Sequence, residues 1–112
     1  PSIYDLMWPR ITWVETKDTP DEIGDGGNSW GITQIQLGVI KDVNRVYGKE
    51  YVHADAFDPE KAREIFELYL EIYRKDWMDE QDLVRIWNGG PDGWAKSGTD
   101  NYWKKYVNET SY

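Results

Sequence analysis

Residues 13–36, WVETKDTPDEIGDGGNSWGITQIQ, pass from the end of an apolar helical turn, through an acidic and glycine-rich loop, into an alternating segment. That passage decides the fold class, because it sets a small β element between helices. On its helical side Ile11 and Val14 share one face, and Glu15 lies one turn beyond Ile11 on the flank of that face, placed to be partly buried. Lys17 to Gly27 reads as a loop in which Gly24, Gly26 and Gly27 allow positive φ and close backbone approach. From Asn28 to Gln36, Trp30, Ile32, Gln34 and Gln36 alternate with Ser29, Gly31, Thr33 and Ile35, which predicts a short strand and a small hairpin.

Working outward, Ile3 to Thr16 has helical character interrupted by Pro9, which lacks a donor and disfavours helix at Trp8. The economical reading starts the helix at Pro9, in the first position, where proline is welcome. Downstream, Val39, Ile40, Val43, Val46 and Tyr47 predict a helix over 37–47 that stops at Gly48. Asp58 and Pro59 form an N-cap and first-turn pair opening the longest helix, over 59–75, whose stripe of Ala62, Ile65, Phe66, Tyr69, Ile72 and Tyr73 faces the core. A further helix capped near Asp79 carries Leu83, Val84, Ile86 and Trp87 until NGGPDG at 88–93 breaks it. Thr99 then caps a last helix bearing Tyr102, Trp103, Tyr106 and Val107. The expectation is one α+β domain over 1–112, mostly α, with a small β-hairpin between its early helices; no internal repeat is visible.

Composition limits the partners. The 112 residues suffice for one core. Thirteen basic and 21 acidic side chains leave a net charge of −8, so nucleic acid and anionic membrane surfaces are repelled on average. No window resembles a membrane span. The chain begins at Pro1 rather than Met, which suggests a trimmed or processed product, so a targeting segment would lie outside it. Cysteine is absent, which excludes a disulfide framework and thiolate chemistry. Neither a metal-ligand cluster nor a phosphate-binding loop is present, and no cofactor is expected. Seven Trp, eight Tyr and two Phe are an unusual load. Most should fill the core, and some could line a groove where sugar C–H faces stack.

Two carboxylates could carry chemistry. Cleaving a glycosidic bond typically needs an acid still protonated near neutral pH and a second, ionised carboxylate across the bond. Glu15, beside Trp13 and Val14 and one turn after Ile11, has the apolar neighbours that raise a carboxyl pKa. The plain reading is an ordinary helix-end carboxylate. Asp25 in the polar GDGG segment best fits the second role, although an Asp beside Gly is usually a turn residue, and Asp18, Asp21 and Glu22 are rivals on the same loop. Gln34 and Asn88 offer amides that both donate and accept, which suits sugars, and Gly89 beside Asn88 belongs to the same expected substrate-binding set. Asn88 could equally end its helix with the help of Gly89 and Gly90. Ser29 and Tyr102 either reach the same cleft or only pack. His53, the one histidine, reads as a surface loop residue.

VET at 14–16, GDGG at 24–27, SWGITQI at 29–35, RIWNGGPDG at 85–93 and the pair Tyr102 and Trp103 after Thr99 together resemble invertebrate-type, destabilase-like lysozymes. The resemblance runs from about Ile11 to Val107. It implies a lysozyme-like fold that cleaves β-1,4 bonds between N-acetylmuramic acid and N-acetylglucosamine, in a secreted or cell-envelope antibacterial protein; the sequence leaves the oligomeric state open, with a monomer as the expectation. The family's acid maps onto Glu15, and its second carboxylate onto Asp25 if one residue is missing from the following loop. Trp30 and Trp94 stand where the family has cysteines, which implies aromatic packing in place of the staples. Glu-Ser of the family is Glu15-Thr16 here, which keeps a hydroxyl. The family's isopeptidase groups have no counterpart that can be mapped. Two other functions fit the same residues: a lytic transglycosylase using Glu15 alone, and a glycan-binding module without turnover. The net charge of −8 opposes tight binding to anionic peptidoglycan, which a neutral chitin-like glycan or salt would relieve.

Overall fold

A computed structural model describes residues 2–110. They form a mostly helical α+β arrangement of five α-helices and one two-stranded antiparallel sheet. No helix among them is long and apolar enough to cross a membrane.

Helix α1 (Ile3–Thr16) begins at Ser2, whose N–H donates to the Asp5 carboxylate at 2.9 Å. It buries Tyr4, Met7, Ile11 and Val14, spaced by threes and fours along one face. Pro9 lies inside this helix rather than at its start, which corrects the sequence reading. An interior proline costs ~3 kcal/mol, but each large side chain buried contributes ~1.5–3 kcal/mol. Packing outweighs the break. Pro9 is also exposed, so water can reach the carbonyl left without its helical donor.

The helix ends at Thr16, and Lys17 and Asp18 reverse the chain with φ of 54° and 64°. Strand β1 (Ile23–Gly24) then pairs with β2 (Ser29–Trp30), Ile23 opposite Trp30 and Gly24 opposite Ser29. The expected hairpin is present, but shifted toward the amino terminus: β1 comes from the segment read as loop. The alternating residues after Trp30 are not strand. Trp30 and Ile35 exchange backbone bonds of 3.0 and 2.8 Å around a turn at Gly31–Gln34, and Ile32, Thr33 and Ile35 are all buried. Gly31 makes this possible: its φ is 84°, and a Cβ there would lie 1.9 Å from the Ala56 carbonyl oxygen. The Thr16 hydroxyl donates to the Ile32 carbonyl at 2.8 Å and so straps the turn to the end of α1.

Helix α2 (Leu37–Tyr47) stops at Gly48 with φ 64°, as expected. Helix α3 (Pro59–Tyr73) is capped by Asp58, which accepts from Glu60 N–H at 2.9 Å, and ends two residues before the expected Lys75. It buries Ala62, Ile65, Phe66, Tyr69 and Leu70, while Ile72 and Tyr73 are partly buried. Helix α4 (Glu80–Gly89) starts at Asp79, whose side chain accepts from Asp82 N–H at 3.1 Å. Asn88 is inside this helix, and Gly90 at φ 87° takes the break. Helix α5 (Asp100–Thr110) follows Thr99. The Thr99 hydroxyl accepts from Arg85 Nε at 2.7 Å and lies 2.7 Å from the Gly93 carbonyl, so it ties the 90–99 segment to α4 instead of capping α5.

Helix α1 packs against α4 and α5, and α2 against α3. This brings the end of α1, the hairpin turn and the end of α4 together.

Candidate active site

A cavity of about 310 Å³ opens where those three ends meet. Glu15 reaches it from the last turn of α1, Asp25 and Ser29 from the hairpin, Gln34 from the following turn, and Asn88 and Gly89 from the end of α4. Six of the seven residues singled out in the sequence therefore share one cavity. Of the four loop carboxylates weighed, only Asp25 lines it; Asp18 instead accepts from the Thr12 hydroxyl at 2.6 Å.

Tyr102, the seventh, is behind the wall. Its hydroxyl donates to Glu15 Oε2 at 3.0 Å. Burial, then the neighbouring Glu15 charge, push the Tyr102 phenol well above its ordinary value, so it stays a neutral donor. Burial also pushes the Glu15 carboxyl up to about 7, against the opposing pull of the Tyr102 hydrogen bond, the Lys105 charge and a hydrogen bond from the Trp87 side chain. The charge of Asp25 adds to the rise. Desolvation is the dominant cause. Glu15 therefore keeps its proton at a pH where an exposed glutamate has lost it.

Asp25 is set differently. It sits on the exposed hairpin turn at φ 52°, a conformation Asp tolerates better than most residues. Its Oδ2 accepts from the Ser29 hydroxyl at 2.5 Å, and Ser29 Oγ in turn accepts from Gln36 Nε2 at 3.3 Å. With Ser29 buried, this relay fixes one carboxylate oxygen of a residue that lines the cavity. Two carboxyl groups on one cavity thus sit in contrasting surroundings, Glu15 largely desolvated between the helices and Asp25 on an exposed turn.

The Gln34 amide donates to the Gly31 and Glu22 carbonyls at 3.0 and 3.3 Å. Its donors hold the turn, and its oxygen occupies the space a Cβ at Gly24 would need, 2.2 Å away. Asn88 is exposed at the cavity mouth. Gly89 admits no side chain, because a Cβ would meet Thr99 Cγ2 at 2.5 Å.

Gln36, Val39, Tyr69, Trp87 and Gly90 also line the cavity and were not foreseen. Tyr69 and Trp87 read as core residues and are both at once: their rings pack edge to face, 5.8 Å apart, and Trp87 packs on Phe66 at 4.9 Å. Periodicity reports that a ring faces inward, not that a cavity reaches it.

His53 is not a loose surface residue. It is half-buried, stacked 3.8 Å from the Trp30 ring at 7°, with Nε2 2.8 Å from the Ile35 carbonyl oxygen. Phe57 lies nearly parallel to Trp30 at 5.2 Å, so aromatic stacking fastens the hairpin to the 53–57 turn. Trp94 meets Trp77 edge to face at 4.8 Å. Among the described residues no group of three or more His, Asp or Glu side chains could hold a metal ion. No protein-family model, curated protein or solved structure matches the chain.

Proposed function

We propose that the chain is a muramidase-type glycoside hydrolase with a lysozyme-like fold, cleaving β-1,4 bonds between N-acetylmuramic acid and N-acetylglucosamine in peptidoglycan or a related N-acetylated glycan. The observation that carries this is Glu15: a desolvated carboxyl, its pKa pushed up to about 7, on the wall of a cavity that also holds Asp25. That pairing is what general-acid cleavage of a glycoside requires. Glu15 donates its proton to the glycosidic oxygen as the C1–O bond breaks. The positive charge that develops at the anomeric carbon faces the Asp25 carboxylate, and water completes the reaction. Asn88 and the Gln34 carbonyl oxygen supply the polar contacts for hydroxyl and acetamido groups, and Tyr102 acts as a positioning residue for Glu15. Such a protein acts where peptidoglycan lies, outside the cytoplasm or in the envelope.

Glu15→Gln tests the reading. It is expected to abolish turnover of purified cell walls while the folded spectrum is kept; full activity in that variant rejects the assignment. Mass spectrometry of the products separates the chemistries. Reducing ends mean hydrolysis, and 1,6-anhydro ends mean a transglycosylase in which the sugar's own 6-hydroxyl replaces water. Binding to insoluble glycan with no products at any pH leaves only a glycan-binding module.

A further inference from the structure

A second cavity, of about 370 Å³, opens beside the connection between α3 and α4. Two of its walls are Trp77 and Trp94, whose rings meet at 73° with centroids 4.8 Å apart. Trp77 is 59% exposed, so this indole gains little from folding. It is nonetheless held in place. Met78 beside it is buried, and its sulfur accepts from the Lys75 N–H at 3.4 Å. That contact anchors the connection on both sides of Trp77. Alone an exposed indole would say little, but here it packs on a second indole beside a cavity, and the two together make an apolar patch of the kind that binding sites use.

The two cavities are neighbours along two walls. Gly90 lines the first and Pro91 the second, and consecutive Cα atoms are only ~3.8 Å apart. Tyr69 lines the first and Tyr73 the second, with ring centroids 5.3 Å apart. A polymer lying in the first cavity and leaving past Gly90 arrives at the indole corner.

The chemistry of the corner selects a sugar ring. A pyranose has an apolar C–H face and a hydroxyl rim. One indole takes the face and the other, at 73°, meets the edge. Asp92 and Lys75, also at this cavity, offer an acceptor and a donor to the rim. Their opposite charges suit a neutral polar group better than an anion. Stacking also answers the problem of net charge: a chain at −8 cannot hold an anionic glycan by long-range attraction, whereas a ring contact is indifferent to salt.

We propose that the Trp77 and Trp94 corner is a second carbohydrate-binding site, holding a hexopyranose ring of the same glycan further along from the bond at Glu15. Its substrate class rests on the glycan-cleaving reading of the first cavity.

The test uses the full chain carrying Glu15→Gln, to prevent turnover, and neutral β-1,4-linked N-acetylglucosamine oligomers of increasing length, with affinity read by calorimetry. Adding Trp77→Ala is expected to weaken the longest oligomers roughly tenfold and leave the shortest unchanged, and Trp77→Phe to restore part of the loss. Equal affinity for long oligomers with and without Trp77 overturns the site, and so does a loss independent of length. Wall fragments bearing stem peptides form a further arm: a contribution of Trp77 seen only with peptide present overturns the sugar assignment. The two readings fail separately. If the unmodified chain cleaves cell walls but Trp77→Ala changes no affinity, the second site falls alone. If the length-dependent loss is found and the unmodified chain never cleaves, the hydrolase reading falls and the carbohydrate site stands.

Discussion

In the proposed reaction Glu15 acts only while protonated, and its burial has a thermodynamic consequence that can be measured without substrate. Its pKa is about 7 in the folded chain against 4.5 for an ordinary glutamate. Between these values the folded state binds more protons than the unfolded state, so stability falls as pH rises through that window and this group adds no slope above or below it. A difference of that size corresponds to about 3 kcal/mol. Glu15→Gln removes the titration, so its stability relative to the unmodified chain is expected to improve by about 3 kcal/mol between roughly pH 4 and pH 8. Denaturant unfolding at the two pH values checks this; a difference that does not change with pH would mean Glu15 is not desolvated. Activity should decline as pH rises past about 7, as the acid loses its proton. Asp25 should respond to its relay. Ser29→Ala removes the donor at 2.5 Å and is expected to lower kcat on cell walls about tenfold, with little change in KM; a loss confined to KM would put Ser29 on the substrate instead. At this scale Glu15 was legible, because a carboxyl one turn from Ile11 and next to Val14 sits beside a buried face. Tyr102 as its donor was not, since the bond joins residues 87 apart, and local spacing says nothing of which two helices meet.

Among the elements, capped helices were legible and the irregular ones were not. Asp58 before Pro59, Asp79 before α4 and Gly48 after α2 each act within one turn, so the local chain suffices to place them. Pro9 misled because its penalty is local and its compensation is tertiary: Tyr4 and Met7 can be buried only if the helix continues through it. Pro9→Ala is therefore expected to raise stability by about 1–3 kcal/mol, read as a shift in denaturation midpoint with unchanged m-value. Destabilisation by this change would mean that the helix needs its proline. The alternation from Asn28 to Gln36 misled in the opposite sense. Its period is that of a strand, but Gly31 and Gln34 both adopt positive φ, and burial on every side of the turn by Ile32, Thr33 and Ile35 replaces a pleated face.

For the molecule as a whole, a net charge of −8 acts over longer distances than any contact. The screening length shortens from ~30 Å at 0.01 M salt to ~8 Å at physiological strength, so repulsion from an anionic wall weakens over that range. Clearing of cell walls is expected to quicken as salt is added from low ionic strength, while binding of neutral oligomers stays flat. A turbidity assay across a salt series decides this, and a steady decline from the lowest salt would contradict it. By itself the sequence determined the charge, the five helical stretches, most of their caps and the placing of Glu15 beside a buried face, because each depends on composition or on neighbours within a turn. Only the tertiary structure decided that Asp25 rather than Asp18, Asp21 or Glu22 shares the cavity with Glu15, that Tyr102 stands behind it, and that Tyr69 and Trp87 serve core and cavity together. The physical reason is range: those arrangements arise where three element ends converge, and the packing that brings them together depends on the whole core at once.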